Sequence, residues 1–179
     1  MMQNKKLYLC LIIIISIIMV ICISKKIINS IYPEKYSIYI EKYCSEYNVD
    51  KNLVYAIIKQ ESNFEPEVNS SKGAKGLMQL MDNTANYIAE QLDYAEFNVF
   101  EPETNIDLGI KYLSYLIEKY DNQNLAIVAY NAGEGNVDKW INSGIISDDG
   151  TDLENVPFRE TNMYLRKVLK NYKIYDKLY

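Results

Sequence analysis

Apolar residues recur three or four positions apart along most of this sequence, a spacing that predicts helices with one buried face. The clearest stretch is 103–120, where Ile106, Ile110 and Leu113 fall on one side. No segment alternates apolar and polar residues over several positions, as a half-buried strand does. The pattern therefore predicts a mainly α domain of about six to eight helices with little or no sheet. The predicted helices lie at 36–47, 50–63, 84–92, 103–120, 122–132, 137–144 and from Arg159 onward.

An uninterrupted apolar run near the N-terminus has a different character. Residues 7–23 contain no charge and only one polar side chain, Ser16, and a pair of lysines stands on either side. As a helix this run is about 25 Å long, the short end of what a bilayer requires, and the flanking lysines can extend to the interfaces. It predicts one N-terminal transmembrane helix at 7–23, followed by a linker at 24–35. A cleaved signal peptide is the alternative, although no A-x-A-like site follows the run.

The remaining sequence, residues 36–179, has the length of a single globular domain.

The positive-inside rule does not orient the apolar run, because two lysines stand at each end of the run. The free N-terminal amine favours a cytoplasmic N-terminus at 1–6. We therefore expect a single-pass protein of the cytoplasmic membrane with its domain on the extracytoplasmic side, or a secreted form if the segment is cleaved.

Charge and composition exclude several classes of function. The residues after Ile31 include 15 basic and 24 acidic side chains, a net charge of −9, which argues against nucleic acid as a partner. The sequence contains no histidine, which excludes Ser-His-Asp and Cys-His nucleophiles and HExxH zinc sites. Of three cysteines, Cys44 alone lies outside the apolar run, and we expect it in the core. Acid-base chemistry would rest on carboxylates, Tyr or Lys, and no cofactor or metal is expected.

One carboxylate stands at the end of an apolar stripe. Asp50 is a good N-cap, and Val54, Ile57, Ile58 and Glu61 then fall on one helical face. Periodicity alone favours a solvated Glu61, because most helical glutamates are exposed. The alternative is a partly dry pocket, where desolvation raises the pKa of the carboxyl and makes it a competent proton donor.

Four short segments reverse that preference when they are considered together. They are QES at 60–62, GAKGLMQLM at 73–81, AYNAGEGNV at 129–137 and VPFRETNMYLRKVL at 156–169. In this order and spacing they resemble the catalytic domain of soluble lytic transglycosylases, the SLT family, which has a lysozyme-like fold related to goose-type lysozyme. The likeness covers about residues 37–172, and four motifs in sequence make it specific where any single one is not.

The resemblance implies an enzyme that cleaves the β-1,4 bond between N-acetylmuramic acid (MurNAc) and N-acetylglucosamine (GlcNAc) in peptidoglycan glycan strands. In the family the cleavage is not hydrolytic and leaves a 1,6-anhydro end. Glu61 matches the catalytic glutamate, which acts first as acid and then as base. Two alternatives stay open: a hydrolytic muramidase with the same cleft, and a glycan-binding envelope scaffold that does not cut. The expected partners are glycan strands and the membrane, and the sequence does not reveal whether the protein has protein partners.

The resemblance also implies that seven further residues bind substrate or shape the cleft. Several of these side chains would equally suit a purely structural role: helix capping or back-bonding for Ser62, core filling for Met78, a charge favoured by the helix dipole for Glu160, and a core position for Tyr164. The seven residues are Ser62, Met78, Gln79, Tyr130, Asn131, Glu160 and Tyr164.

The sequence departs from the family pattern at a few positions. Asp82 and Glu134 replace prolines, and Asn162 and Leu165 replace the more usual Arg and Val. We expect Asp82 to be a helix N-cap, which would make that change conservative. Glu134 is expected to be a solvated loop charge, and the alternative is a second carboxylate near the cleft that orients water.

Overall fold

A computed structural model describes the backbone of residues 2–179 and the side chains from residue 11 onward. The described residues form eight α-helices and one 3-10 helix, Leu153–Asn155, and no strand. Extended pairing among them is limited to single bridges from Lys75 to Asn69 and to Leu80. The mainly helical fold class is therefore confirmed. The helices are α1 (Met2–Ile31), α2 (Ser37–Tyr47), α3 (Lys51–Glu61), α4 (Asp82–Gln91), α5 (Pro102–Tyr120), α6 (Gln123–Ala132), α7 (Glu134–Asn142) and α8 (Arg159–Leu178).

The first compact unit of the chain, up to Lys35, contains α1. Its stretch Leu11–Ile31 has 21 residues and is long and apolar enough to cross a membrane. The helix continues through Lys25 and Lys26 to Ile31, so most of the segment 24–35 is helical rather than an irregular linker. The side chains of the expected N-terminal segment 1–6, and of the first residues of the expected anchor, lie outside the described residues.

The second unit, Tyr36–Tyr179, is built around α5. Helices α2, α4 and α6 pack against α5, and α8 packs against α3 and α6. The predicted apolar face of α5 is fully buried at Ile106, Ile110 and Leu113. Cys44 is buried as expected, and burial raises the pKa of its thiol to about 12.

Helix α3 is more deeply buried than its single apolar stripe predicts. Asp50 caps it as expected by accepting a hydrogen bond from the Asn52 amide at 2.8 Å. Every residue from 53 to 58 is buried, and the ring of Tyr55 stacks on Tyr175 of α8 with 5.3 Å between centroids. Close packing on several sides holds α3 rigidly, so the residue at its C-terminal end has a fixed position.

The chain between α3 and α4 is tied to α5 by one buried amide. Asn105 is completely buried; its Oδ1 accepts a hydrogen bond from the Met78 amide at 2.7 Å, and its Nδ2 donates to the carbonyls of Lys75 at 3.1 Å and Val99 at 2.7 Å. Gly76 has a φ of 79° and lies so close to Asn105 that a Cβ there would overlap the amide. One side chain thereby pairs with backbone polar groups of the irregular segments on both sides of α4.

Replacing Asn105 is therefore expected to destabilise the fold. Asn105→Ala removes three hydrogen bonds and leaves buried backbone groups unpaired, so the free energy of unfolding should fall by about 2–4 kcal/mol. Urea unfolding of the detergent-solubilised chain, followed by circular dichroism, measures the change. The matched control is the exposed α4 residue Asn86, because Asn86→Ala should change stability by less than about 0.5 kcal/mol. Equal stabilities for the two variants would contradict a stabilising role of the Asn105 hydrogen bonds.

Candidate active site

Glu61, the last residue of α3, lies in a cleft of about 370 Å³. Three other parts of the chain line the cleft with it: the segment between α3 and α4, the C-terminal end of α6 and the start of α8. These parts carry the other three motifs that the sequence singled out. The segment from 64 to 81 does return beside Glu61, since Gln79 and Met81 are both in the cleft wall.

The Glu61 carboxyl is largely desolvated. Burial raises its pKa to about 7, and a 2.6 Å hydrogen bond donated by the Tyr164 hydroxyl to Oε1 is a smaller effect that lowers it. Both the acid and the base forms of the group are therefore populated near neutral pH. Glu61 is not the solvated glutamate that helical periodicity alone favours.

Ser62 secures the end of α3. Its hydroxyl donates to the Leu77 carbonyl at 2.8 Å and accepts from the Phe64 amide at 3.2 Å, and the side chain is only 7% exposed. These contacts match the capping alternative and join α3 to the returning segment. Ser62 is not among the described residues that line the cleft, so a direct contact of its hydroxyl with sugar stays a prediction.

Met78 and Gln79 are neighbours with different surroundings. The Met78 side chain is completely buried over Gly109 of α5, which corrects the expectation that it lines the cleft. Because Gly109 has no side chain, Met78 fills the space beside it. Gln79 does line the cleft; its φ is 51°, and its Nε2 donates to the carbonyls of Val68 at 3.0 Å and Gly76 at 2.9 Å.

Tyr130 and Asn131 form the wall contributed by α6. The Tyr130 hydroxyl donates to the Met78 carbonyl at 2.8 Å. Burial, with the nearby charge of Glu61, raises the pKa of Tyr130 well above its usual value, so the phenol stays protonated. Asn131 Oδ1 accepts from the Thr161 hydroxyl at 2.8 Å, a contact that joins α6 to α8.

The start of α8 supplies the opposite wall. Glu160 is exposed and pairs with Lys72 at 2.9 Å, so an ion pair joins α8 to the α3–α4 segment across the cleft. Phe158 is half-exposed in the wall and packs edge-on against Trp140 with 5.0 Å between ring centroids. Tyr164 is buried one helical turn further along α8.

Sequence reasoning missed several residues that line this cleft, among them Phe158, Thr161 and Lys72. Phe158 and Thr161 lie inside the fourth motif, so their place in the motif was an available signal. Lys72 lies in a polar loop, and its partner is 88 residues away, so nothing in the local sequence marks it. Across the described part of the chain, no cluster of His, Cys, Asp or Glu is arranged to hold a metal ion.

The two proline replacements have clear structural settings. Asp82 is the first residue of α4 and follows the N-cap Met81, so the N-cap expectation is wrong; its carboxylate pairs with Lys75 at 2.7 Å. An acidic residue in the first turn is favoured by the helix dipole. Glu134 begins α7 rather than lying in a loop, and it pairs with Lys119 and with the Tyr115 hydroxyl. Among the described residues, the lining of the Glu61 cleft does not include Glu134.

Comparison with known proteins identifies relatives of this chain. The sequence model of the transglycosylase SLT domain matches residues 38–149. Soluble lytic murein transglycosylase from Salmonella typhimurium is 35% identical over 144 residues, which is 77% of this chain and 22% of the relative. Membrane-bound lytic murein transglycosylase C from Yersinia pestis is 32% identical over 169 residues, which is 79% of this chain and 47% of the relative.

A solved structure has the same architecture. The X-ray structure of an inactive mutant of lytic transglycosylase Slt from Pseudomonas aeruginosa superposes with a TM-score of 0.74 and 31% identity, covering 82% of this chain and 24% of that one. The chain thus spans less than half the length of these relatives. The likeness confirms the predicted fold.

The raised pKa of Glu61 predicts a pH-dependent cost in stability. In the folded state the Glu61 carboxyl keeps its proton up to about pH 7, whereas in the unfolded state it ionises near pH 4.5. Between these values the unfolded state binds fewer protons, so stability falls as pH rises. Glu61→Gln removes this effect, so the stability of the variant relative to wild type should increase by about 2–3 kcal/mol from pH 5 to pH 8. Urea unfolding at both pH values measures the gain, and a constant difference between the proteins would contradict a buried, titrating carboxyl.

The hydrogen bond from Tyr164 should be detectable in the titration of Glu61. Tyr164→Phe removes a donor that stabilises the carboxylate, so the pKa of Glu61 should rise above its wild-type value. Carboxyl-carbon NMR of the glutamate-labelled chain in detergent follows the titration. Tyr172→Phe is the matched control, because Tyr172 of the same helix donates to Asp50 and not to Glu61. An unchanged pKa in Tyr164→Phe would show that the contact has no electrostatic effect.

Proposed function

Because the chain belongs to the transglycosylase SLT domain family, we propose that it is a lytic transglycosylase that cleaves peptidoglycan glycan strands. The bond cleaved is the β-1,4 bond between MurNAc and GlcNAc. The observation that supports this most directly is a glutamic acid with a pKa of about 7 in a cleft whose other walls are the remaining family motifs. A general acid near the working pH is what glycosidic cleavage requires.

The proposed reaction uses Glu61 twice. In its acid form Glu61 donates its proton to the glycosidic oxygen, the bond from that oxygen to C1 of MurNAc breaks, and the GlcNAc side leaves as an alcohol. The Glu61 carboxylate then accepts the proton of the MurNAc 6-hydroxyl as that oxygen bonds to C1. The product is a 1,6-anhydro sugar, no water is consumed, and Glu61 ends in its original protonated form. A pKa of about 7 suits both steps, because neither form of the carboxyl is strongly disfavoured.

The residues around Glu61 have complementary tasks in this scheme. Tyr164 donates to Oε1 of Glu61, which fixes the orientation of the carboxyl and leaves Oε2 for the substrate. Tyr130, held by the Met78 carbonyl, forms a neutral polar wall that stays protonated throughout. Gln79, Asn131 and Glu160 line the cleft, and in this scheme they contact sugar hydroxyl or acetamido groups.

The arrangement of carboxylates favours the anhydro product over hydrolysis. Hydrolytic glycosidases of the common type use two carboxyl groups flanking the bond. In the described cleft the second carboxylate is Glu160, which is exposed and paired with Lys72. Glu134, the other candidate, is engaged with Lys119 and Tyr115. An intramolecular nucleophile removes the need for a second carboxylate.

We also propose that α1 anchors the protein. Its 21-residue apolar stretch is about 32 Å long, close to the hydrocarbon thickness of a bilayer. One of the relatives is named membrane-bound. The substrate lies outside the cytoplasmic membrane, which supports a single-pass topology with Tyr36–Tyr179 on the cell-wall side.

Product analysis tests the proposed reaction. Purified sacculi incubated with the detergent-solubilised chain should release fragments with 1,6-anhydro-MurNAc ends, detected by mass spectrometry. Glu61→Gln should reduce the rate at least about 100-fold because the general acid is lost. Glu90→Gln, which removes an exposed carboxylate on α4, is the matched control and should retain wild-type activity.

Two outcomes would overturn the proposal in different ways. Products with reducing MurNAc ends and no anhydro species would identify a hydrolytic muramidase. Wild-type protein that sediments with sacculi but releases no fragments would identify a binding scaffold.

A further inference from the structure

A second groove adjoins the cleft along α8. It has a volume of about 380 Å³, and its lining includes Arg159, Met163 and Arg166. Phe158 and Glu160, the neighbours of Arg159 in sequence, line the Glu61 cleft instead. The first turn of α8 therefore separates the Glu61 cleft from this second groove, which we term the arginine groove.

The arginine groove holds an unusual concentration of positive charge. Arg159 and Arg166 are the only arginines in the whole sequence, which carries a net charge of −9 after Ile31. Seven residues are almost two full helical turns, so both arginines project from one face of α8 with Met163 between them. The lining also includes Glu154, and the groove is still net positive within an acidic domain.

Both guanidinium groups are available for a ligand. Arg159 and Arg166 are exposed, and neither forms an ion pair or side-chain hydrogen bond with another described residue. The two lysines nearest the cleft differ in this respect, because Lys72 pairs with Glu160 and Lys75 pairs with Asp82. An unpaired arginine offers a planar fork of donors that matches a carboxylate in two parallel hydrogen bonds.

The floor of the arginine groove is held in place. Asn162 Nδ2 donates to the carbonyls of Leu153 at 3.0 Å and Glu154 at 3.3 Å, which joins α8 to the 3-10 helix before it. Val156, on the connection between the two helices, is buried in the lining. The arginines thus project from a fixed surface, and ligand binding would not require ordering of the backbone.

We infer that the arginine groove binds carboxylate groups of the peptide branch that peptidoglycan carries beside the scissile bond. The inference rests on the proposed function, since a ligand that enters the groove from the cleft must be a substituent of the bound glycan. The two arginines are separated by about 10 Å along the helix, roughly the span of three extended peptide residues. Two carboxylates of one short peptide branch fit that spacing.

The test compares two substrates and two double variants of the full chain in detergent. The substrates are glycan strands with intact peptides and the same strands stripped of peptide by an amidase. Arg159→Gln/Arg166→Gln should lower kcat/KM about tenfold on intact strands and leave it unchanged on stripped strands, because charge-assisted hydrogen bonds to the peptide are lost. Lys167→Gln/Lys170→Gln removes the same charge from exposed positions of α8 outside the groove and should affect both substrates equally.

An equal loss on both substrates would overturn the inference, because stripped strands lack the peptide. Such a loss would point to another anionic polymer on the strand or to a long-range effect of the arginine charges. No loss on either would overturn it as well. If wild-type protein cuts neither substrate, the proposed function fails, and calorimetric titration with a GlcNAc–MurNAc tetrapeptide decides the role of the groove. Binding that is weakened only in Arg159→Gln/Arg166→Gln supports the peptide site, and equal binding by all proteins overturns it.

Discussion

The burial of α3 is the constraint on which the site depends. Burial is the main cause of the raised pKa of Glu61, and that burial depends on the apolar packing of the helix that bears this residue. Residues 53–58 supply that packing, with Tyr55 between Phe64 and Tyr175. The same packing prevents Glu61 from relaxing toward solvent. The packing that stabilises the fold therefore also raises the pKa of Glu61, so the folded chain retains the acid form of this group to a higher pH than the unfolded chain does.

The rest of the cleft is assembled by polar contacts rather than by apolar packing. Ser62 joins α3 to the returning segment, Asn105 joins that segment to α5, and Thr161 joins α8 to Asn131. Hydrogen bonds have stricter geometry than apolar contacts, so they set the positions of irregular backbone more precisely. This division suits a cleft in which about half of the lining residues lie outside regular helix.

Much of the fold and the central residue of the site could be predicted from the sequence. Periodicity located the helices because apolar residues recur at the helical repeat, although α3 is buried on more than one face, and the order of four motifs pointed to Glu61. Asn105 escaped detection because a polar residue inside an apolar helix gives no local sign of partners 27 and 30 residues away. Met78 was misplaced for a similar reason: its burial depends on Gly109, in another helix. Periodicity describes a face of one helix, whereas these contacts depend on how elements meet.

The ion pair between Lys72 and Glu160 has a consequence for access to the cleft. Both side chains are about three-quarters exposed, and pairs in such a setting contribute no more than about 1 kcal/mol. Thermal motion therefore separates the two groups readily, and under the proposed function a glycan strand would pass between them without a change in the fold. The walls around Glu61 are fixed by packing, whereas the ion pair between two of the residues that line the cleft opens easily.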